Sequence, residues 1–277
     1  MLPILDLGFV QIPTYFFVIS ASVSFLLIYL SNRVDKFLVD RKTAFNIAII
    51  LMVSGFIGGR LLHVFYEEFA YYAQDPKQVL FFWNGGFVYF GGLIAGWICV
   101  WAYCLVEKIS FLKWADFFTP ILSLSHAFGR IGCVLTGCCF GTYCTLPWSI
   151  DGRHPTASYL VLGEFIIYGF IIYLEKLNQK KSASLNLTNQ ANPDQITLYL
   201  DDRKRAEPFG TLFFKWIFIS SLLRYFVEFY RDDFRGRFVH FPLLGALSVS
   251  QIICVVLMLI SLVFFLFKYV KTKKDKA

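Results

Sequence analysis

This 277-residue sequence predicts an all-α integral membrane protein: a bundle of seven transmembrane helices, N-terminus outside and C-terminus cytoplasmic. Three observations carry that expectation. Hydrophobic residues make up 57% of the chain, Phe occurs 32 times and only 16% is charged, a balance foreign to a soluble domain of this length. Seven apolar stretches are long enough to cross ~30 Å of hydrocarbon. Lys and Arg concentrate in alternate connections.

In chain order, the residues before the first span, MLPILDLGFVQIPT, lack a basic n-region, so they are not expected to form a cleavable signal peptide and the span at 13–31 is expected to be retained. The second span covers 44–65. Residues 79–90 contain Gly85 and Gly86 and are expected to form a re-entrant or interfacial segment, since irregular backbone at that depth needs protein around it. Further spans follow at 87–106, 114–139, 157–175, 209–230 and 243–267. Residues 176–208 mix Asn, Gln and Ser with charges of both signs, which predicts a flexible cytoplasmic loop, and 268–277 is a basic tail. With no internal repeat, residues 1–277 read as a single polytopic membrane domain.

The connections after spans 1, 3 and 5 together with the tail hold 17 Lys and Arg, against 5 in the remaining connections and none before span 1. That asymmetry sets the orientation. The net charge of +7 is therefore mostly loop charge facing anionic lipid, and no nucleic acid partner is needed to explain it.

Four basic residues remain inside spans: Arg60, Arg130, Lys215 and Arg224. Lys215 is close enough to a span end to extend to the interface. The three arginines each fall several residues inside the outer end, ~9 to 14 Å down at ~1.5 Å per residue. A buried guanidinium is costly, so a layer of three points either to structural ion pairs or to an anion pocket. Acidic partners exist: Glu164 and Glu228 lie at similar depth, and RYFVEFYR sets Arg224, Glu228 and Arg231 along one helical face. Asp116 reads as the N-terminal charge of the fourth span. An anion held by guanidiniums in the outer leaflet points to a lipid phosphate, which a guanidinium grips through two oxygens without losing its charge.

These residues lie in motifs that resemble the prolipoprotein diacylglyceryl transferase family. Tyr15 opens the first span and GGR ends at Arg60; FFWNGGFVYFGGLIAG covers 81–96; ADFFTP contains Asp116 and HAFGRIG contains Arg130. RHPTASY contains His154 and Tyr159, RYFVEFYR contains Arg224 and Glu228, and LGALSVSQ ends at Gln251. GRIGCVLTGCCFG, ending at Gly141, resembles a cysteine-rich variant of the family signature.

The resemblance implies a seven-helix bundle with a small periplasmic head region in the bacterial cytoplasmic membrane. It also implies transfer of the diacylglyceryl group of phosphatidylglycerol to the lipobox cysteine of a prolipoprotein, in the bilayer, with no cofactor or metal. Arg130 and Arg224 would bind phosphate and stabilise the leaving group, with Arg60 supportive, Glu228 orienting Arg224, and Tyr15, Tyr159 and Gly141 lining the substrate site.

The chain departs from the family pattern at Phe90, where many members carry His, and at Ala157 and Leu160, where Gln and Glu are usual. His154 and His126 are then the residues suited to proton transfer, each also readable as hydrogen-bonded structure. Cys133, Cys138, Cys139 and Cys144 cluster near the outer face, which leaves a disulfide such as Cys139–Cys144, small-residue packing, and a metal or redox role open. A membrane thiol oxidoreductase built on these cysteines, or a phospholipid-binding homologue without catalysis, are the rival readings.

Overall fold

The computed structural model describes residues 4–6, 8, 11–187, 207–232, 238–241 and 245–274. It is mostly helical, in the order α1 (Thr14–Phe37), α2 (Arg41–Leu62), α3 (Phe69–Gln74), α4 (Tyr89–Val106), α5 (Phe111–Thr136), α6 (Thr156–Leu187), α7 (Thr211–Glu228) and α8 (Val249–Lys274). Two short antiparallel hairpins complete it: β1 (Ile4–Asp6) with β2 (Gln11–Pro13), and β3 (Phe238–Phe241) with β4 (Gly245–Ser248), where Phe238 faces Ser248. Among the described residues six helices are long and apolar enough to cross a membrane: all but α3 and α7. The expected span at 209–230 does form a helix, α7, but its 18 residues include Lys215, Arg224 and Glu228, which lower its apolar character.

The chain divides into two compact units, Leu38–Trp114 and the rest. In the smaller unit Asp40 caps α2, its carboxylate accepting the Thr43 N–H at 2.7 Å. Its two long helices, α2 and α4, meet backbone to backbone at Gly58 and Gly91: a methyl on Gly58 would stand 2.6 Å from the Gly91 carbonyl oxygen. Only glycine permits that approach. Beyond α2 come a π turn (His63–Glu67) and two short 3-10 turns (Pro76–Leu80 and Phe82–Asn84).

In the larger unit an ion pair stands where sequence placed loop. Arg33, expected in the connection 32–43, lies inside α1, which runs on to Phe37. Its guanidinium is buried and forked onto Glu175 of α6 at 2.7 and 3.0 Å, and donates to the Phe117 carbonyl at 3.1 Å. The partner explains the difference, because a bidentate carboxylate offsets the desolvation that confines an unpaired Arg to loops. Likewise α6 does not stop at 175 but continues to Leu187; residues 188–206 of the expected loop lie outside the described residues.

Asp116 also differs from expectation. Instead of serving its own helix, its fully buried carboxylate accepts the N–H groups of Gly210 at 3.0 Å and Phe213 at 2.9 Å, capping α7 from a neighbouring helix. Lys215 meets Glu207 at 3.0 Å. Phe214 of α7 stacks on Phe264 of α8, ring centres 4.1 Å apart.

Candidate active site

His126, Arg130 and Cys133 stand at i, i+4 and i+7 on α5, so one face carries all three. Glu164 of α6, fully buried, anchors this face. Its carboxylate meets His126 Nδ1 at 2.8 Å and accepts the hydroxyls of Ser123 at 3.2 Å and Ser220 at 3.4 Å. The seryl partners were not singled out from sequence, since a serine in an apolar helix carries no mark of the carboxylate it will face.

On α7, buried Arg224 pairs with Glu228 one turn later, Nη2 to Oε2 3.2 Å. Ser248 donates to Glu228 Oε1 at 3.2 Å. The same Ser248 is the N-cap of α8: its hydroxyl accepts the Gln251 N–H at 3.2 Å, while Gln251 Oε1 accepts the Ser248 N–H at 3.0 Å. That reciprocal pair is the capping box that the spacing Ser-x-x-Gln in LGALSVSQ encodes. The start of α8 and the orientation of Glu228 thus share one hydroxyl.

Two further nitrogens of Arg224, Nε and Nη1, are buried and make no hydrogen bond among the described residues. Arg130 and Arg231 act on it as like charges. Arg130 is half-buried, and the hydrogen-bonding contact of its guanidinium among the described residues is a weak one, Nη1 to Cys133 Sγ at 4.0 Å. Buried polar groups are nearly always satisfied. Like charges crowded together with spare donors describe a site shaped for an anion. Tyr15, at the start of α1, packs on Gly132, where a methyl would come within 2.9 Å of its ring, and its hydroxyl feels Arg130 and the nearby cysteines.

Arg60, in the smaller unit, is differently engaged. Its nitrogens donate to the carbonyls of Gln78 at 2.8 Å, Val79 and Gly86 at 3.2 Å, Phe81 at 3.4 Å, and Gly85. Its donors are spent on the irregular 78–86 segment. Gly85 and Gly86, both at positive φ, turn their carbonyls onto it.

The segment between α5 and α6 folds back as a small head. Gly141 N–H donates to the His154 carbonyl at 2.8 Å, Thr142 N–H to the Tyr230 carbonyl at 2.9 Å, and His154 N–H to the Thr142 carbonyl at 3.0 Å. Arg153 clamps the rim through Asp232 at 3.1 Å and the Tyr143 hydroxyl at 2.9 Å. His154 Nδ1 lies 3.2 Å from the Tyr159 hydroxyl, to which Trp148 Nε1 donates at 3.0 Å. Gly141 makes an isolated antiparallel bridge to Arg231, and a methyl there would stand 2.1 Å from the Tyr230 carbonyl oxygen.

All seven cysteines are free thiols, so Cys139 and Cys144 are not joined. Cys133, Cys138 and Cys139 instead gather their sulfurs within 4.8 Å of one another. Cys139 Sγ donates to Cys138 Sγ at 3.5 Å.

Residues 3–189 and 195–267 match the family model described as prolipoprotein diacylglyceryl transferase. The chain is similar to the phosphatidylglycerol–prolipoprotein diacylglyceryl transferase of Clostridium tetani, 27% identical over 96% of this chain and 97% of that one. It is also similar to the second enzyme of that name in Clostridium perfringens, at 27% over 83% and 81%. The Clostridioides difficile protein of the same name is 31% identical over 76% of this chain and 72% of its own.

Proposed function

Because the chain belongs to the prolipoprotein diacylglyceryl transferase family, we propose that it moves the sn-1,2-diacylglyceryl group of phosphatidylglycerol onto the lipobox cysteine thiol of a prolipoprotein, releasing glycerol phosphate. The observation that carries this reading is the pair Arg130 and Arg224, with two buried nitrogens of Arg224 unfilled. As sulfur attacks the glyceryl carbon, negative charge gathers on the phosphate oxygens. Guanidinium donors already fixed in a dry site stabilise that charge most.

In this reading Arg130 and Arg224 bind the phosphate and stabilise the leaving group, and Glu228 orients Arg224. His126 and His154 serve proton transfer. Tyr15, Tyr159 and Gly141 shape the substrate site, while Arg60 supports by holding the 78–86 segment in place. The fold reading goes with it: α7 as a seventh span, 79–90 as a re-entrant segment, and the N-terminus outside with the C-terminus cytoplasmic. The site then faces the outer leaflet of the bacterial cytoplasmic membrane, with the segment between α5 and α6 as its periplasmic head. Loop charge supports that orientation.

The test is transfer of labelled diacylglyceryl from phosphatidylglycerol to a lipobox peptide by purified protein, beside Arg130→Ala and Arg224→Ala. Transfer by the parent, lost by ~10²-fold or more in each variant, is the expected result. A folded parent that binds phospholipid and transfers nothing overturns the reading.

A further inference from the structure

Three sulfurs bound to one ion at ~2.3 Å stand ~4 Å apart. Those of Cys133, Cys138 and Cys139 already lie within 4.8 Å of one another, the last two 3.5 Å apart. The cluster is built from two pieces of chain: Cys133 comes from the last turn of α5 and the others from the turn that follows. In that turn Cys139 has φ +64°, a left-handed conformation unusual for a residue with a side chain. The Thr156 hydroxyl fixes it there by donating to its carbonyl. Burial is graded, with Cys133 buried, Cys139 half-buried and Cys138 exposed, so three ligands are gathered and one side is left open. The Arg130 guanidinium borders the sulfurs, 4.0 Å from Cys133, which suits a cluster carrying thiolate charge.

We propose that Cys133, Cys138 and Cys139 form a three-thiolate site for a divalent cation of the zinc class, whose open fourth position takes the thiol of the peptide substrate. The inference rests on the transferase reading and supplies what it needs, an ionised sulfur. A free thiol is mostly protonated at neutral pH, whereas a thiol coordinated to zinc is deprotonated. Its proton passes to one of the proton-transfer histidines, His126 or His154. The sulfur then forms a bond to the glyceryl carbon as the carbon–oxygen bond to the phosphate breaks, and that electron pair leaves with glycerol phosphate, which takes up that proton. Three protein ligands with an open position is the pattern of catalytic rather than structural zinc. Arg130 borders both the metal site and the anion site, which places nucleophile and leaving group side by side.

The full-length protein, purified without chelator, is assayed for bound metal, then stripped and reloaded with Co²⁺ as an optical probe. About one zinc per chain is expected, and a thiolate-to-cobalt absorption that shifts with a lipobox peptide but not with its Cys-to-Ser analogue. Cys139→Ser should lose the metal and lower transfer by about 100-fold, while Cys99→Ser, on an exposed face of α4, keeps both. The cobalt spectrum of the unsubstituted protein keeps the test decisive should Cys139→Ser fail to fold. Failure of the folded protein to bind Zn²⁺ or Co²⁺, a cobalt spectrum blind to the peptide thiol, or a disulfide among the three cysteines overturns the proposal. So does full transfer by the stripped protein, which leaves the transferase reading intact. A peptide-responsive cobalt site with no transfer from phosphatidylglycerol supports the metal site and sinks that reading.

Discussion

Arg224 meets Glu228 through one nitrogen only, Nη2 at 3.2 Å from Oε2, which leaves its Nε and Nη1 buried and unfilled among the described residues. A structural ion pair in a dry core is normally forked, as Arg33 and Glu175 are at 2.7 and 3.0 Å. The contrast assigns the two arginines different work. Arg224→Lys keeps the charge but loses the planar guanidinium with its unfilled Nε and Nη1 donors, so kcat/KM for diacylglyceryl transfer should fall by about 10²-fold. Glu228→Gln, which loosens the aim without removing a donor, should cost about 10-fold. Steady-state kinetics with a lipobox peptide reads both.

Arg33 and Glu175 should behave as a pair. Arg33→Met or Glu175→Leu alone leaves a buried charge uncompensated and should destabilise by about 3–5 kcal/mol, while the double substitution should come back close to the parent. Thermal unfolding in detergent measures the cycle. Equal losses that simply add would show that the two side chains are not coupled.

Gly141→Ala forces a methyl against the Tyr230 carbonyl, a backbone atom 2.1 Å away that has no rotamer to yield. A loss of about 1–3 kcal/mol is expected, with lower activity as the head opens. Gly169→Ala, where nothing lies within 4 Å, is the matched control and should be neutral or slightly stabilising through helix propensity. The melting temperature of Gly141→Ala should fall below the parent's, while that of Gly169→Ala should equal or slightly exceed it.

Hydrogen bonds from Thr43, its side chain first and then its N–H, hold the Asp40 carboxyl below its ordinary range. A depressed carboxyl stabilises above its unfolded pKa of about 3.9, and that contribution disappears as pH falls through the lower folded value. The first turn of α2 should therefore fray in acid. Protection factors for amide exchange at residues 43–46, which remove the intrinsic pH dependence, should fall below about pH 4, and in Asp40→Ala they should be low already and independent of pH over that range.

Much of the fold was legible because apolar span length and isolated charge are written along the chain itself. Six helices long and apolar enough to span coincide with expected stretches, and the arginines of HAFGRIG and RYFVEFYR drew notice as costs that packing alone does not explain. The capping box Ser248–Gln251 is equally local. What was not legible depends on the rotation of one helix against another. Arg33 counted as loop charge because its carboxylate is 142 residues away, and Asp116 was assigned to its own helix because the amides it caps lie 94 and 97 residues on.

The sequence by itself determined that this is a multi-pass membrane protein of a particular family, with buried cations on named helices, since composition and motif survive in a linear string. Tertiary structure alone decided that Arg60 is consumed by five carbonyls, that Arg224 keeps donors unfilled, and that Cys133, Cys138 and Cys139 converge on one point without Cys144. The physical reason is that a charge's cost is local and can be read residue by residue, whereas its compensation is set by distance in space, which only packing supplies.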